Sequence, residues 1–333
     1  MEISRFVLAS RPLGIPTTGN FRMEKASIGG LNNGEVLLKP WYISVDPYMR
    51  GRMNSVKSYA AAWEVDQPVS GGVVAKVVES KSKLIKKGET VVGTLPWATY
   101  SIEKAEKLKK IDVSNVSPGY YLGVLGMPGI TAYVGMMEIC RPVKGETAVI
   151  SGASGAVGIV AGQIARIQGL RVIGIAGSDE KCILLKQQFG FDEALNYKTS
   201  KSLRKDLALL CPEGIDVYFD NVGGKVTEAV ASSLDFHARI ALCGQISQYN
   251  NAKPYIGYSI LPHLLTRSVM MQGFIVSNYS HLFETALSHL TQWLSEGKLK
   301  YTETIIEGFD KLPEAFLGLF SGINQGKLLV RVD

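Results

Sequence analysis

The stretch Thr147–Lys181, TAVISGASGAVGIVAGQIARIQGLRVIGIAGSDEK, constrains the fold of this chain more than any other. Thr147 to Ile150 is a short apolar run, and a turn of small residues follows: Ser151, Gly152, Ala153, Ser154 and Gly155. Ala156 to Gln168 then has the pattern of a helix, and Arg171 to Ala176 that of a second buried strand. Strand, glycine turn, helix and strand make a βαβ unit. Glycines 152, 155 and 158 have the spacing G-x-x-G-x-x-G. A residue without Cβ lets the backbone approach a ligand closely. The helix start behind the turn offers unpaired N–H groups and a partial positive charge, which suits a pyrophosphate. The same glycines would also serve tight βα packing with no ligand. The strand before them and the helix after them favour the dinucleotide reading.

The tip of the second strand selects the cofactor. An NAD site usually places a carboxylate there for the ribose 2′-hydroxyl. Here the tip reads Ala176-Gly177-Ser178-Asp179-Glu180-Lys181, small and neutral at first. A serine hydroxyl and a lysine suit a 2′-phosphate, which a carboxylate would repel. Asp179 and Glu180 are expected in the first turn of the next helix, where acids complement the helix dipole. Ser178 and Lys181 are therefore candidate phosphate ligands, with a solvated surface lysine as the alternative for Lys181, and NADP(H) is the expected cofactor.

At 333 residues the chain is long enough for two domains. Hydrophobic and charged fractions of 46% and 20% are those of an ordinary globular protein. The net charge of +6 is spread along the chain, and the cluster Lys81, Lys83, Lys86, Lys87 reads as a solvated face, not a nucleic-acid surface. No stretch approaches the ~18–20 apolar residues of a membrane span. There is no secretory leader pattern, so a cytoplasmic protein is expected. Cys140, Cys182, Cys211 and Cys243 are far apart with no C-x-x-C pair, which supports free thiols and no zinc site.

The first 110 residues are short β runs with glycine turns, such as Arg5–Ala9, Gly34–Tyr42, Val69–Glu79 and Thr90–Leu95. From 147 the pattern is regular: strands near 147–151, 171–176, 194–197, 215–220, 237–243 and 269–276, with helices near 156–168, 179–190, 200–211, 224–234, 259–267 and 279–297. That alternation predicts an α/β fold, a doubly wound parallel sheet of Rossmann type beside a β-rich domain. The tail, ending in a strand over Lys327–Val332, is assigned to the β-rich domain. The expected division is 1–125 with 300–333, and 126–299.

The segments VDPYMRGRM (45–53), GVLGMPGITAY (123–133), SGASGAVG (151–158), GSDEK (177–181), NYK (196–198), DVYFDNVGG (216–224), CGQISQYN (243–250) and QGF (272–274) together resemble the medium-chain dehydrogenase/reductase superfamily. Within it they resemble the zinc-independent branch of leukotriene B4 12-hydroxydehydrogenase/prostaglandin reductases, plant alkenal double-bond reductases and bacterial curcumin reductase-like enzymes. The resemblance spans nearly the whole chain. It implies a GroES-like β-rich substrate domain and NADPH-dependent reduction of the C=C bond of α,β-unsaturated aldehydes or ketones. It also implies a homodimer, to which the strand near 269–276 would offer an edge.

By the same resemblance, Gly155, Ala156, Val157 and Gly158 lie under the pyrophosphate, and Lys181 and Tyr197 contact the 2′-phosphate. Asn221, after the fourth strand, touches the cofactor. Cys243, Gly244, Gln245, Ile246, Ser247 and Tyr249 line its adenosine and nicotinamide side. Phe274, Ile275 and Val276 flank the nicotinamide, and Asn324 closes the site. Packing at a strand end for Tyr197, and turn formation for Asn221 and Asn324, remain the structural alternatives.

Tyr48, in DPYMR, is the substrate-side candidate, because a phenol donates to a carbonyl or enolate oxygen. A packed aromatic is its alternative. One departure stands out: plant and mammalian relatives carry a tyrosine six residues before the position of Gln272, where this chain has Thr266. Donors left open are therefore Tyr48, Tyr249, Tyr255 and Tyr258, or the cofactor ribose with water. Two further readings of the chain are a quinone oxidoreductase of the same superfamily and a non-catalytic NADPH-binding protein.

Overall fold

Buried Val36, Leu38, Pro40 and Tyr42 alternate with half-buried neighbours, which marks a strand with one face on a core. In the computed structural model, which describes residues 1–332, that strand is the centre of a β-rich unit. Elements follow in chain order. The strands are β1 (Glu2–Leu8), β2 (Phe21–Ser27), β3 (Glu35–Ser44), β4 (Ser70–Ser80), β5 (Thr90–Pro96), β6 (Ser101–Lys104), β7 (Lys109–Lys110), β8 (Thr147–Ser151), β9 (Arg171–Ala176), β10 (Glu193–Asn196), β11 (Ile215–Asp220), β12 (Leu234–Leu242), β13 (Met270–Gly273), β14 (Glu303–Glu307) and β15 (Lys327–Arg331). The α-helices are α1 (Met49–Arg52), α2 (Met127–Tyr133), α3 (Gly158–Ile167), α4 (Asp179–Phe189), α5 (Leu203–Leu210), α6 (Gly224–Ala231), α7 (Leu261–Thr266), α8 (Phe283–Ser295) and α9 (Leu312–Ser321).

Two compact units emerge: Met1–Leu122 with Glu303–Asn324 and the end of the chain from Leu328, and Gly123–Thr302 with Gln325–Lys327. The first is built on a sheet of order β14-β15-β3-β4-β5-β7, with β6 also paired to β3 and a separate β1–β2 hairpin. Its core holds Trp97 and Phe316, fully buried, with Phe21 stacked on Trp97 at 5.8 Å between ring centroids. The tail contributes α9 to this core through Leu312, Ala315, Phe316 and Leu319.

The second unit is a six-stranded sheet of order β10-β9-β8-β11-β12-β13. Every adjacent pair in it is parallel. That order steps outward in both directions from β8, the doubly wound pattern, with the direction reversing between β8 and β11. Buried Val149, Ile173, Tyr218 and Ile240 supply one core face from four successive strands.

The expected strands and helices are all present with several boundaries moved, three of them for identifiable local reasons. β12 begins at Leu234, ahead of the expected 237, because His237 takes a left-handed φ of 59° and the strand bulges there instead of starting. β13 ends at Gly273, where Phe274 turns its ring into the core against Phe219. The helix expected from 279 begins at Phe283, because Tyr279 (φ −114°, ψ 28°) leaves the helical region.

Helix α3 can approach β8 only because Gly158 has no side chain. A Cβ there would lie 2.3 Å from the Gly152 carbonyl oxygen and 2.7 Å from Ala153 Cα. Both neighbours are backbone, so no rotamer change relieves the overlap. Gly158→Ala is expected to destabilise the protein by about 1–3 kcal/mol, read as a lowered urea midpoint. An unchanged midpoint would show that this contact does not set the packing.

Candidate active site

Gly152, at φ +58°, takes a left-handed turn as the chain leaves β8. Gly158 is closed off by backbone, whereas a Cβ at Gly155 would meet only the Gly152 oxygen, at 3.2 Å. Gly155 is less crowded than Gly158 and bridges to Gly326 of the tail, and Ala156, Val157 and Gly158 lead from it into the ten-residue α3. The first N–H groups of a helix have no intrahelical acceptor and carry partial positive charge. A glycine turn leading into such a helix start fits a pyrophosphate. The tail also reaches this turn: Gly326 N–H donates to the Ser154 carbonyl at 2.8 Å. Asn324 precedes that contact by two residues.

Between β8 and β11 one buried carboxylate organises the backbone. Asp220 Oδ1 accepts from Ser151 Oγ (2.9 Å), Tyr218 Oη (2.8 Å), Val222 N–H (2.9 Å) and Gly223 N–H (3.0 Å). Its Oδ2 accepts from Thr227 Oγ1. Asn221 is fixed next to it: its N–H donates to Ser151 Oγ at 2.9 Å and its side-chain amide to the Ser151 carbonyl at 2.8 Å. Cys243 and Gly244 N–H groups donate to the Asp220 carbonyl, Ile246 N–H to that of Asn221, and Ser247 N–H and Oγ to that of Val222. The loop after β12 is thus fastened along the loop after β11, at the topological switch point where ligands of open α/β sheets bind.

Within that loop, burial and the nearby Asp220 push the Cys243 thiol up to about 12. Cys243 stays a neutral thiol at working pH and is no nucleophile. The Tyr249 phenol accepts from Gln245 N–H at 3.3 Å, packing the loop on itself. The Phe274 ring is buried edge-on against Phe219 and Tyr279. Its side chain belongs to the core, so what it and its neighbours Ile275 and Val276 offer a nicotinamide is chiefly backbone and the two half-buried aliphatic groups.

At the tip of β9 the acids are drawn aside. Ser178 caps α4, its hydroxyl accepting from Lys181 N–H at 3.3 Å. The same hydroxyl holds the Glu180 carboxyl below the usual range. Asp179 accepts from the Asn196 amide at 2.8 Å. Ser178 is thus occupied as a cap, and the tip keeps no carboxylate of its own. Half-buried Lys181 has its pKa lowered by burial and then by the Lys198 ammonium. Tyr197 lies over Gly177, where a Cβ would be 3.3 Å from Tyr197 Cε1 and 3.5 Å from its Oη. Lysine and phenol together fit a 2′-phosphate.

In the β-rich unit Tyr48 is half-buried at the start of α1. Burial and then the Asp46 carboxylate push its phenol up to about 12, offset in part by Arg52, which also hydrogen-bonds it. The Arg52 guanidinium is fixed by the carbonyls of Ala61 (2.9 Å) and Ser70 (3.1 Å), and it lies 5.0 Å from the Trp63 ring centroid. Tyr48 is consequently a protonated donor across the working pH range. The other donors left open by sequence have different engagements. Thr266 Oγ1 donates to the Pro262 carbonyl of its own helix at 2.8 Å. Tyr255 donates to Glu228 at 2.7 Å, which pushes its phenol to about 12, and Tyr258 is 87% exposed.

Sequence reasoning missed Asp220, Arg52 and Lys198. Asp220 and Lys198 stand inside motifs already singled out, beside Asn221 and Tyr197, and their immediate neighbours were the available signal. Arg52 stands in the segment VDPYMRGRM, four residues after Tyr48.

Among known proteins, the profile described as "N-terminal domain of oxidoreductase" matches residues 4–111, and that described as "Zinc-binding dehydrogenase" matches residues 156–292. The NADPH-dependent curcumin reductase of Escherichia coli is 41% identical over 333 residues, covering 98% of this chain and 96% of the relative. The chain belongs to the medium-chain dehydrogenase/reductase superfamily, in its curcumin, prostaglandin and alkenal reductase branch. A tobacco NADP(+)-dependent 2-alkenal reductase (Nicotiana tabacum) is 45% identical over 303 residues, 90% of this chain and 88% of the relative. The crystal structure of CurA from Vibrio vulnificus in complex with NADPH superposes with a TM-score of 0.94 at 42% identity, covering 99% of both chains. Despite the second profile's name, no group of three or more His, Cys, Asp or Glu in this family member comes together to hold a metal among the described residues.

Raising pH should weaken NADPH binding. Lys181 must be charged to hold a phosphate, and its lowered pKa means that this charge is lost earlier than in an ordinary lysine, whose pKa is about 10.4. The dissociation constant for NADPH is expected to climb at alkaline pH below that value while that for NADH stays flat, measured by fluorescence titration. Parallel curves for the two cofactors would remove Lys181 from the phosphate.

Proposed function

We propose that this protein is an NADPH-dependent reductase of the C=C bond of α,β-unsaturated aldehydes and ketones. The observation that carries the cofactor is the β9 tip, where both nearby acids are tied into the start of α4, Tyr197 lies over Gly177, and Lys181 is close enough to the Lys198 ammonium for that charge to lower its pKa. The reaction is supported by relatives of 41–45% identity over most of the chain, named curcumin and 2-alkenal reductases. Gly155 to Gly158 hold the pyrophosphate, Asn221, the loop Cys243–Tyr249 and residues Phe274–Val276 hold the remainder, and Asn324 closes the site from the tail.

NADPH, when bound, supplies a hydride for the β-carbon of the substrate. Negative charge then gathers on the carbonyl oxygen, and a fixed donor aimed at that oxygen lowers the barrier. Tyr48 is that donor. With its pKa near 12 it offers a hydrogen bond without losing its proton, and Arg52 holds its hydroxyl in place. The α-carbon takes its proton from water.

We further read the protein as a cytoplasmic homodimer. Four free cysteines, three of them buried, agree with a reducing compartment. No helix among the described residues is long and apolar enough to cross a membrane. β13 is an edge strand, and Ile256, Leu261, Leu265 and Met270 leave apolar surface exposed in and ahead of it. A mass of one 36.2 kDa chain by light scattering would contradict the dimer.

Saturated aldehyde is the expected product from trans-2-nonenal and NADPH, identified by mass and NMR. Turnover of quinones but of no enal would move the protein to quinone reduction. Tyr48→Phe is expected to lower kcat about tenfold to hundredfold with little change in NADPH affinity. Unchanged kcat would place the donor elsewhere, first at Tyr249.

A further inference from the structure

We propose that Lys198 is a second cation of the 2′-phosphate subsite and a determinant of the preference for NADPH over NADH. The proposal rests on the reading of the β9 tip given above.

Strands β9 and β10 are neighbours, with Ala176 opposite Asn196, and Tyr197 N–H donates to the Ala176 carbonyl at 3.1 Å. The chain therefore leaves β10 directly beside the tip of β9. Lys198 N–H then donates to Asn196 Oδ1 at 3.0 Å, and the Asn196 amide is itself held by Asp179. This local turn fixes where the Lys198 side chain starts. Its stem runs back over Gly177: a Cβ at that glycine would lie 3.5 Å from Lys198 Cε. The terminal ammonium is one bond beyond Cε, so it stands at the tip of β9, within electrostatic reach of Lys181.

No ion pair engages Lys198 among the described residues. The nearest acids of the tip are otherwise held, Asp179 by Asn196 and Glu180 by Ser178. Two ammonium groups close enough for one to lower the proton affinity of the other repel each other in the free protein. A dianionic phosphate between them removes that repulsion and gains two charge-assisted contacts. A ribose hydroxyl gains neither, so the pair discriminates between the two cofactors. Lys198 is exposed and Lys181 half-buried, which gives the pair one adaptable and one fixed member.

The test compares Lys198→Ala, Lys198→Arg and Lys181→Ala with the unaltered protein in titrations with NADPH and with NADH across pH. Lys198→Ala is expected to weaken NADPH about tenfold, leave NADH unchanged, and be rescued by Lys198→Arg. It should also move the alkaline loss of NADPH binding to higher pH, because Lys181 no longer faces a like charge. Specific loss of NADPH in Lys181→Ala alone, with Lys198→Ala silent, would overturn the role of Lys198 and leave the subsite standing. Equal weakening of both cofactors in Lys198→Ala would also overturn it, as a structural effect on the β10 turn. If neither lysine affects NADPH over NADH, the subsite itself is misplaced and the inference falls with it.

Discussion

The second unit depends on the carboxylate of Asp220 more than on any other side chain. A buried carboxylate with unfilled acceptor positions is costly, and this one is surrounded by five donors. Those donors come from the end of β8, from β11, from the turn after it and from α6. Satisfying one group therefore fixes four pieces of backbone at once. Asn221 inherits its position from this arrangement, and the loop after β12 inherits its position from the carbonyls of residues 220 to 222. The ligand-facing side of the switch point is in this sense built from beneath by a residue that faces no ligand.

The glycines complete that construction from the other side. Gly158 is needed because helix and strand backbones meet there, and Gly155 lies close to the Gly152 oxygen and bridges to Gly326 of the tail. The β9 tip follows a related logic with charge. Acids close to a phosphate would oppose it, and here they are used to cap and brace α4 and β10. Keeping negative charge away from the tip suits a 2′-phosphate, as added positive charge does.

Much of this was legible in sequence, for identifiable reasons. The alternation of strands and helices from Thr147 onward reports a local period, and local periods survive folding. The parallel order, the neutral β9 tip and the placement of Asp179 and Glu180 in the start of α4 all follow from short-range pattern. What was not legible depends on residues distant in sequence. Ser151 and Asp220 are 69 positions apart and meet only through the register of β8 and β11. Lys198 approaches Gly177 only because β10 pairs with β9. The early end of β13 reflects the pull of Phe274 toward Phe219, which no local propensity encodes. Ser178 was read as a phosphate ligand from its chemistry, and the structure shows it engaged as a helix cap.

The central claim is that carbon–carbon double-bond reduction proceeds by hydride delivery to the β-carbon at a site selective for NADPH. The most direct measurement is isotopic: turnover of an enal with NADPH deuterated at nicotinamide C4, on each face in turn, with the product examined by NMR. One face should deliver deuterium to the β-carbon, and turnover with unlabelled NADPH in deuterated water should label the α-carbon instead. Deuterium at the carbonyl carbon, giving an allylic alcohol, would contradict the account.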